Sequence, residues 1–162
     1  MSAQSLMILI AGPYRSGTGD DPKLMARNLR TLESVALPIY RAGHIPLIGE
    51  WLALPLLREA GSKHPGDAIY DEILYPIANR LLGRCDAVLR LPGASKGTDQ
   101  DVRLAKERGL QVFESLAEIP GCGPKNEQGG TDWQSQNLAP EDPRLRSRGR
   151  SASDGSNGLS GN

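Results

Sequence analysis

Two cysteines, Cys85 and Cys122, are all that the 162-residue chain contains. That is too few for a disulfide framework and predicts a reduced, cytoplasmic setting, with Cys85 in the core and Cys122 in a tail. Net charge is also missing: 19 basic residues balance 19 acidic ones, so no general field attracts nucleic acid or an anionic membrane. Long apolar runs are absent at the N-terminus, where residues 6–11 (LMILIA) are too few to span a bilayer and lack the basic flank of a signal peptide. His44 and His64 stand in no cluster of ligands at metal spacing, so no metal site is expected. No repeat of solenoid period is present.

What is there is unevenly distributed. Residues 1–120 are rich in Leu, Ile, Val and Ala and carry periodic segments, enough for one domain with an ordinary core. Residues 121–162 are dominated by Gly, Ser, Asn, Gln, Pro and Arg, with Trp133, Leu138, Leu145 and Leu159 as isolated large apolar side chains. Such a segment buries too little to offset its chain entropy and is expected to be a disordered tail. Within it Arg144, Arg146, Arg148 and Arg150 alternate with other residues, a pattern read as solvated rather than as an RNA or acidic-partner site.

Residues 6–11 are apolar at consecutive positions, which predicts a strand covered on both faces and hence a parallel sheet. A glycine-containing loop follows. Asp21-Pro22 then supplies an N-cap and a first helical proline, and Met25, Leu29, Leu32 and Ala36 share a helical face that ends at Gly43, its last turn disturbed by Pro38. A short strand over 44–48, a helix over 51–60 interrupted near Pro55, and a loop over 61–67 come next. Ile69, Ile73, Ile77 and Leu81 mark a further helix, distorted at Pro76. A strand over 86–91, a helix from about Asp99 to Arg108 and a last strand through Val112 and Phe113 complete the series. This alternation predicts an α/β fold: a Rossmann-like, doubly wound parallel sheet of four to five strands with helices on both faces. Ligands of such sheets bind beyond the carboxyl ends of the strands, which places the site between the polar loops over 12–20 and 92–101.

The first loop combines Gly12, Gly17 and Gly19, which let the backbone approach a ligand, with Arg15 and Ser16, which can hold an anion. It is neither a Walker loop nor a dinucleotide fingerprint, and a solvated turn is the alternative. The second loop offers Ser95 and Gly97 to an anion or a sugar hydroxyl, then Asp99 and Asp101. With Thr98 as N-cap, Asp101 falls in the first helical turn, where the helix dipole keeps its carboxylate ionised. It can then act as a capping group, as a nucleophile, or as a stabiliser of positive charge.

Four segments in order, Leu9-Ile10-Ala11-Gly12-Pro13-Tyr14-Arg15, Arg41-Ala42-Gly43-His44, Arg84-Cys85-Asp86-Ala87-Val88 and Ser95-x-Gly97-x-x-x-Asp101, resemble the nucleoside 2-deoxyribosyltransferase superfamily, which includes the 2'-deoxynucleoside 5'-phosphate N-hydrolases. The resemblance covers roughly residues 6–120. It implies a homo-oligomer that cleaves the N-glycosidic bond of a nucleoside or nucleotide, by hydrolysis or base exchange, without metal or organic cofactor. It also implies that Asp101 stands where the family has a nucleophilic glutamate. Gly12, Tyr14, Arg15 and Ser16 match the sugar- and phosphate-contacting loop, and Ser95 and Gly97 match a second phosphate-contacting turn. Arg15 points toward a phosphorylated substrate. Two positions depart from the pattern: Asp101 is a methylene shorter than Glu, and Ala78, followed by Asn79, replaces a substrate-holding Asp. These departures motivate the alternative of a catalytically inactive nucleotide-binding or sensor module.

The remaining candidates divide by surroundings. Glu50 and Trp51 follow the second strand and can face the cleft, with Trp51 stacking on a base or packing beneath its own helix. Tyr14 is expected to orient the nucleophile or the sugar through its hydroxyl. Asp71 and Glu72 are read as a solvated helix face, and Asp86 as structural.

Overall fold

In the computed structural model, residues 4–123 are described, all of them within one compact unit, Met1–Lys125. Most of the segment expected to be a disordered tail, including the alternating arginines, lies outside the described residues. Four parallel strands form one sheet in the order β2-β1-β3-β4: β1 Met7–Ala11, β2 Ile45–Ile48, β3 Ala87–Arg90 and β4 Gln111–Phe113. Helices α1 Pro22–Ser34 and α2 Ala36–Arg41 connect β1 to β2, α3 Gly49–Ala60 and α4 Ala68–Leu82 connect β2 to β3, and α5 Lys96–Glu107 connects β3 to β4.

The consecutive apolar residues of β1 serve two cores. Ile8 and Ile10 join Leu32 of α1, Ile39 of α2, Leu89 and Phe113 on one face of the sheet. Leu9 and Ala11 join Leu82 of α4, Val88 and Ala105 of α5 on the other. A continuous apolar strand is what a doubly covered parallel sheet requires. Because β1 leads toward β2 and β3 leads toward β4, the chain leaves β1 and β3 in opposite directions, which opens a crevice at their carboxyl ends.

The helix signals hold in detail with some shifts. The Asp21 carboxylate accepts the Lys23 N–H at 2.8 Å and Pro22 is the first residue of α1. The helix does not run to Gly43 but breaks at Val35, and Pro38 lies in the opening turn of the separate helix α2, where its missing N–H costs little. Pro55 and Pro76 likewise stand inside continuous helices, α3 and α4, whose packing against each other and against the sheet offsets the lost backbone bonds. Helix α3 ends on Gly61 at φ 81°, with the Ser62 N–H reaching back to the Leu57 carbonyl.

His44 is buried and structural: its Nδ1 accepts the Leu6 N–H at 3.1 Å and its Nε2 lies 2.7 Å from the Pro120 carbonyl, so the tautomer with the proton on Nε2 satisfies both. Asp86 accepts the Met7 N–H at 2.8 Å at the opposite side of the β1 entry. Cys85 is buried as expected, but Cys122 packs against the core cluster beneath α2 instead of lying in a tail. Asp71 and Glu72 are exposed on α4.

Candidate functional site

A cleft of about 340 Å³ opens at the carboxyl ends of β1 and β3. Of the residues singled out in the sequence, it brings together Gly12, Tyr14, Arg15, Ser16, Ser95, Gly97 and Asp101. It does not include Trp51. That side chain is 40% exposed on α3, where its indole N–H donates to Glu33 of α1 at 2.9 Å. One residue along a helix turns the side chain by about 100°, so the position that faces the cleft is Glu50 and its neighbour faces away.

The loop after β1 is built, not slack. Thr18 is buried, its hydroxyl donates to the Arg15 carbonyl at 2.6 Å and accepts the Asp20 N–H at 3.2 Å. Asn28 of α1 donates to the Tyr14 carbonyl at 2.9 Å, which fixes Tyr14 at the cleft. Burial, and secondarily the Glu50 charge, raise the Tyr14 phenol above its ordinary value, so it faces the ligand as a protonated donor at neutral pH. Gly12 is required by packing rather than by ligand approach: a Cβ there would lie 2.7 Å from Leu32 Cδ2 and 3.1 Å from Leu91 Cβ. Arg15, the expected anion holder, already has an anion. Its Nε and Nη2 meet the two oxygens of Asp20 at 2.6 and 3.0 Å, a fork-to-fork ion pair that raises the guanidinium and lowers the carboxyl.

The second loop differs from the sequence expectation in its cap. Ser95 is the N-cap of α5, its hydroxyl accepting the Thr98 N–H at 3.3 Å, and the helix begins at Lys96. Asp101 is therefore the sixth helical residue, in the second turn and beyond the reach of a first-turn dipole effect. Burial dominates instead and pushes its carboxyl from 3.8 up to about 6, which still leaves it largely ionised at neutral pH. Asp99, in the first turn, is exposed and pairs with Arg90 at 2.8 Å. A Cβ at Gly97 would meet no side chain nearer than the Ser95 hydroxyl, at 3.9 Å, so the lack of a side chain there leaves room in the cleft.

Glu50 opens α3 at the end of β2 and lines the same cleft. Burial, with a smaller contribution from the Asp101 charge, pushes its carboxyl up to about 7. Asp101 ionises first and so feels a neutral Glu50, whereas Glu50 must ionise beside a carboxylate. Two carboxyl groups thus share one cleft in different protonation states near neutral pH, the arrangement that separates an acid from a nucleophile.

Tyr70 stands in no motif of the sequence. It lies on the cleft face of α4 together with Leu74 and Ala78, is 3% exposed, and its hydroxyl has no hydrogen-bond partner among the described residues. Arg15 lies over its ring, 5.5 Å from the centroid. Residues 70, 74 and 78 repeat at four, the same period as the Ile69–Ile73–Ile77 stripe one position out of register, and that is the signal that would have found it.

Together the fold and the cleft define a class: a four-stranded parallel α/β domain with a two-carboxyl cleft at its topological switch point. The chain matches no known family model, no curated protein and no solved structure. Among the described residues no group of three or more His, Cys, Asp or Glu side chains is placed to hold a metal ion, and no helix is long and apolar enough to cross a membrane.

Proposed function

We propose that this domain cleaves the N-glycosidic bond of a nucleoside or nucleotide with Asp101 as the nucleophile. The observation that carries the reading is the pair of carboxyl groups, Asp101 and Glu50, in one cleft with a protonated phenol, Tyr14. The ionised Asp101 carboxylate attacks the anomeric carbon, and the bond from that carbon to the base nitrogen breaks. Its electron pair leaves with the base, which takes a proton from the Glu50 carboxyl. Water then attacks the anomeric carbon, passes a proton to Glu50 and frees Asp101. A second base in place of water gives exchange instead of hydrolysis. Tyr14, tied to α1 through its carbonyl, orients Asp101 or the sugar. Ser16, Ser95 and the space over Gly97 hold sugar hydroxyls or an anion, and no metal or organic cofactor enters these steps.

A second reading, ligand binding without turnover, is favoured by Ala78, which lines the cleft with no polar group to offer a substrate. Incubation with a panel of nucleosides and 5'-nucleotides, following free base, separates the two. Base release supports the glycosidase; calorimetric binding without release supports the sensor. We further propose that the domain works as a homo-oligomer in the cytoplasm. Exposed Leu52 and Leu56 on α3 and Tyr75 on α4 support a contact between copies, which sedimentation tests.

A further inference from the structure

Arg15 is the one cationic side chain among the described residues that line the cleft, against the carboxyls of Glu50 and Asp101. Whether the cleft accepts a charged sugar end therefore depends on whether Arg15 is available. Three features of the chain bear on that. Asp20 meets it through both carboxylate oxygens, at 2.6 and 3.0 Å. Asp20 holds the left-handed conformation at φ 62°, uncommon for a residue with a side chain, and the buried Thr18 bonds both the Arg15 carbonyl and the Asp20 N–H, so the turn from Arg15 to Asp20 is shaped to close on itself. On the other side the guanidinium lies over the Tyr70 ring and against Gly66, where a Cβ would stand 2.5 Å from Nη2. The guanidinium is thus seated by a ring, a glycine and a carboxylate, all from this chain.

We propose that Asp20 is a specificity-determining residue that occupies Arg15 and so makes the cleft select an uncharged sugar end over a 5'-phosphate. The proposal rests on the nucleoside reading of the cleft and reverses the inference that Arg15 alone invites. With Arg15 neutralised, a phosphate entering the cleft must displace a tethered carboxylate and stand near Glu50 and Asp101. A neutral sugar hydroxyl meets no such opposition. The buried Tyr70 hydroxyl, without a partner among the described residues, can both donate to it and accept from it.

The test uses the full chain and four deoxynucleosides, each with its 5'-monophosphate, by calorimetry and by competition. The expected result is that the nucleosides bind at least tenfold more tightly than their monophosphates. Asp20→Asn, and independently Asp20→Ser, should strengthen monophosphate binding at least tenfold and leave nucleoside binding within about twofold. Inorganic phosphate titrated alone should bind the variants more tightly than the natural chain, a readout that needs no nucleoside; thermal melting establishes that the variants are folded. A natural chain that prefers monophosphates overturns this proposal and leaves the glycosidase reading standing, as does an unchanged preference in both Asp20 variants. Absence of binding by every nucleoside and nucleotide overturns the nucleoside reading and this proposal with it.

Discussion

Replacing Glu50 by Gln should stabilise the protein at alkaline pH and leave it almost unchanged in acid. The Glu50 carboxyl titrates at 4.5 in an open chain and at about 7 in the fold, because burial disfavours its charge. Between those values the native protein binds more protons than the unfolded chain, so stability falls as pH rises. Each pH unit in that window removes up to about 1.4 kcal/mol, or roughly 3 kcal/mol by pH 8. Allowing for water at the cleft mouth, a loss of about 2 kcal/mol is a fair expectation. Glutamine keeps the shape and never ionises, so the variant lacks this loss. Urea unfolding of both proteins at pH 4.5, 6 and 8 measures the difference, which should open between the first and last points. Asp101, raised from 3.8 to about 6, contributes a similar slope at lower pH that both proteins share. A difference independent of pH, or a variant less stable at pH 8, would refute the claim that Glu50 is held in the cleft against its preferred ionisation.

If Asp101 must be ionised and Glu50 protonated, kcat/KM for base release should follow a narrow bell with limbs near about 6 and about 7, and Glu50→Gln should lower its height and remove the alkaline limb. His44→Phe strands the Leu6 N–H and the Pro120 carbonyl and should cost about 2–4 kcal/mol in urea unfolding. Gly12→Ala drives a Cβ to within 2.7 Å of the buried Leu32 and should cost about 1–3 kcal/mol, read in the same assay.

Much of the fold was legible because its signals are local and mutually consistent. The uninterrupted apolar run of β1, the Asp21-Pro22 start and the alternation of periods pointed to a parallel α/β sheet, and the crevice followed from the connectivity. What stayed hidden depends on competition between neighbours. Ser95 and Thr98 both suit an N-cap, and only the three-dimensional path of residues 91–95 decides for Ser95, moving Asp101 into the second turn and putting its ionisation under the control of burial. Trp51 and Glu50 are adjacent, and the phase of α3 assigns the cleft to the acid. The continuity of α3 and α4 through Pro55 and Pro76 reflects tertiary packing that no local propensity encodes. Asp20 gave no sign in the sequence of reaching back to Arg15, because a left-handed residue is a property of the closed turn.

Carboxylate chemistry at Asp101 is tested most directly by the rate of base release from a nucleoside panel, measured for the natural chain and for Asp101→Asn at pH 6.5. Release by the natural chain and a loss of at least a hundredfold in the variant, with binding retained, are expected. Release at the same rate in Asp101→Asn would contradict that chemistry.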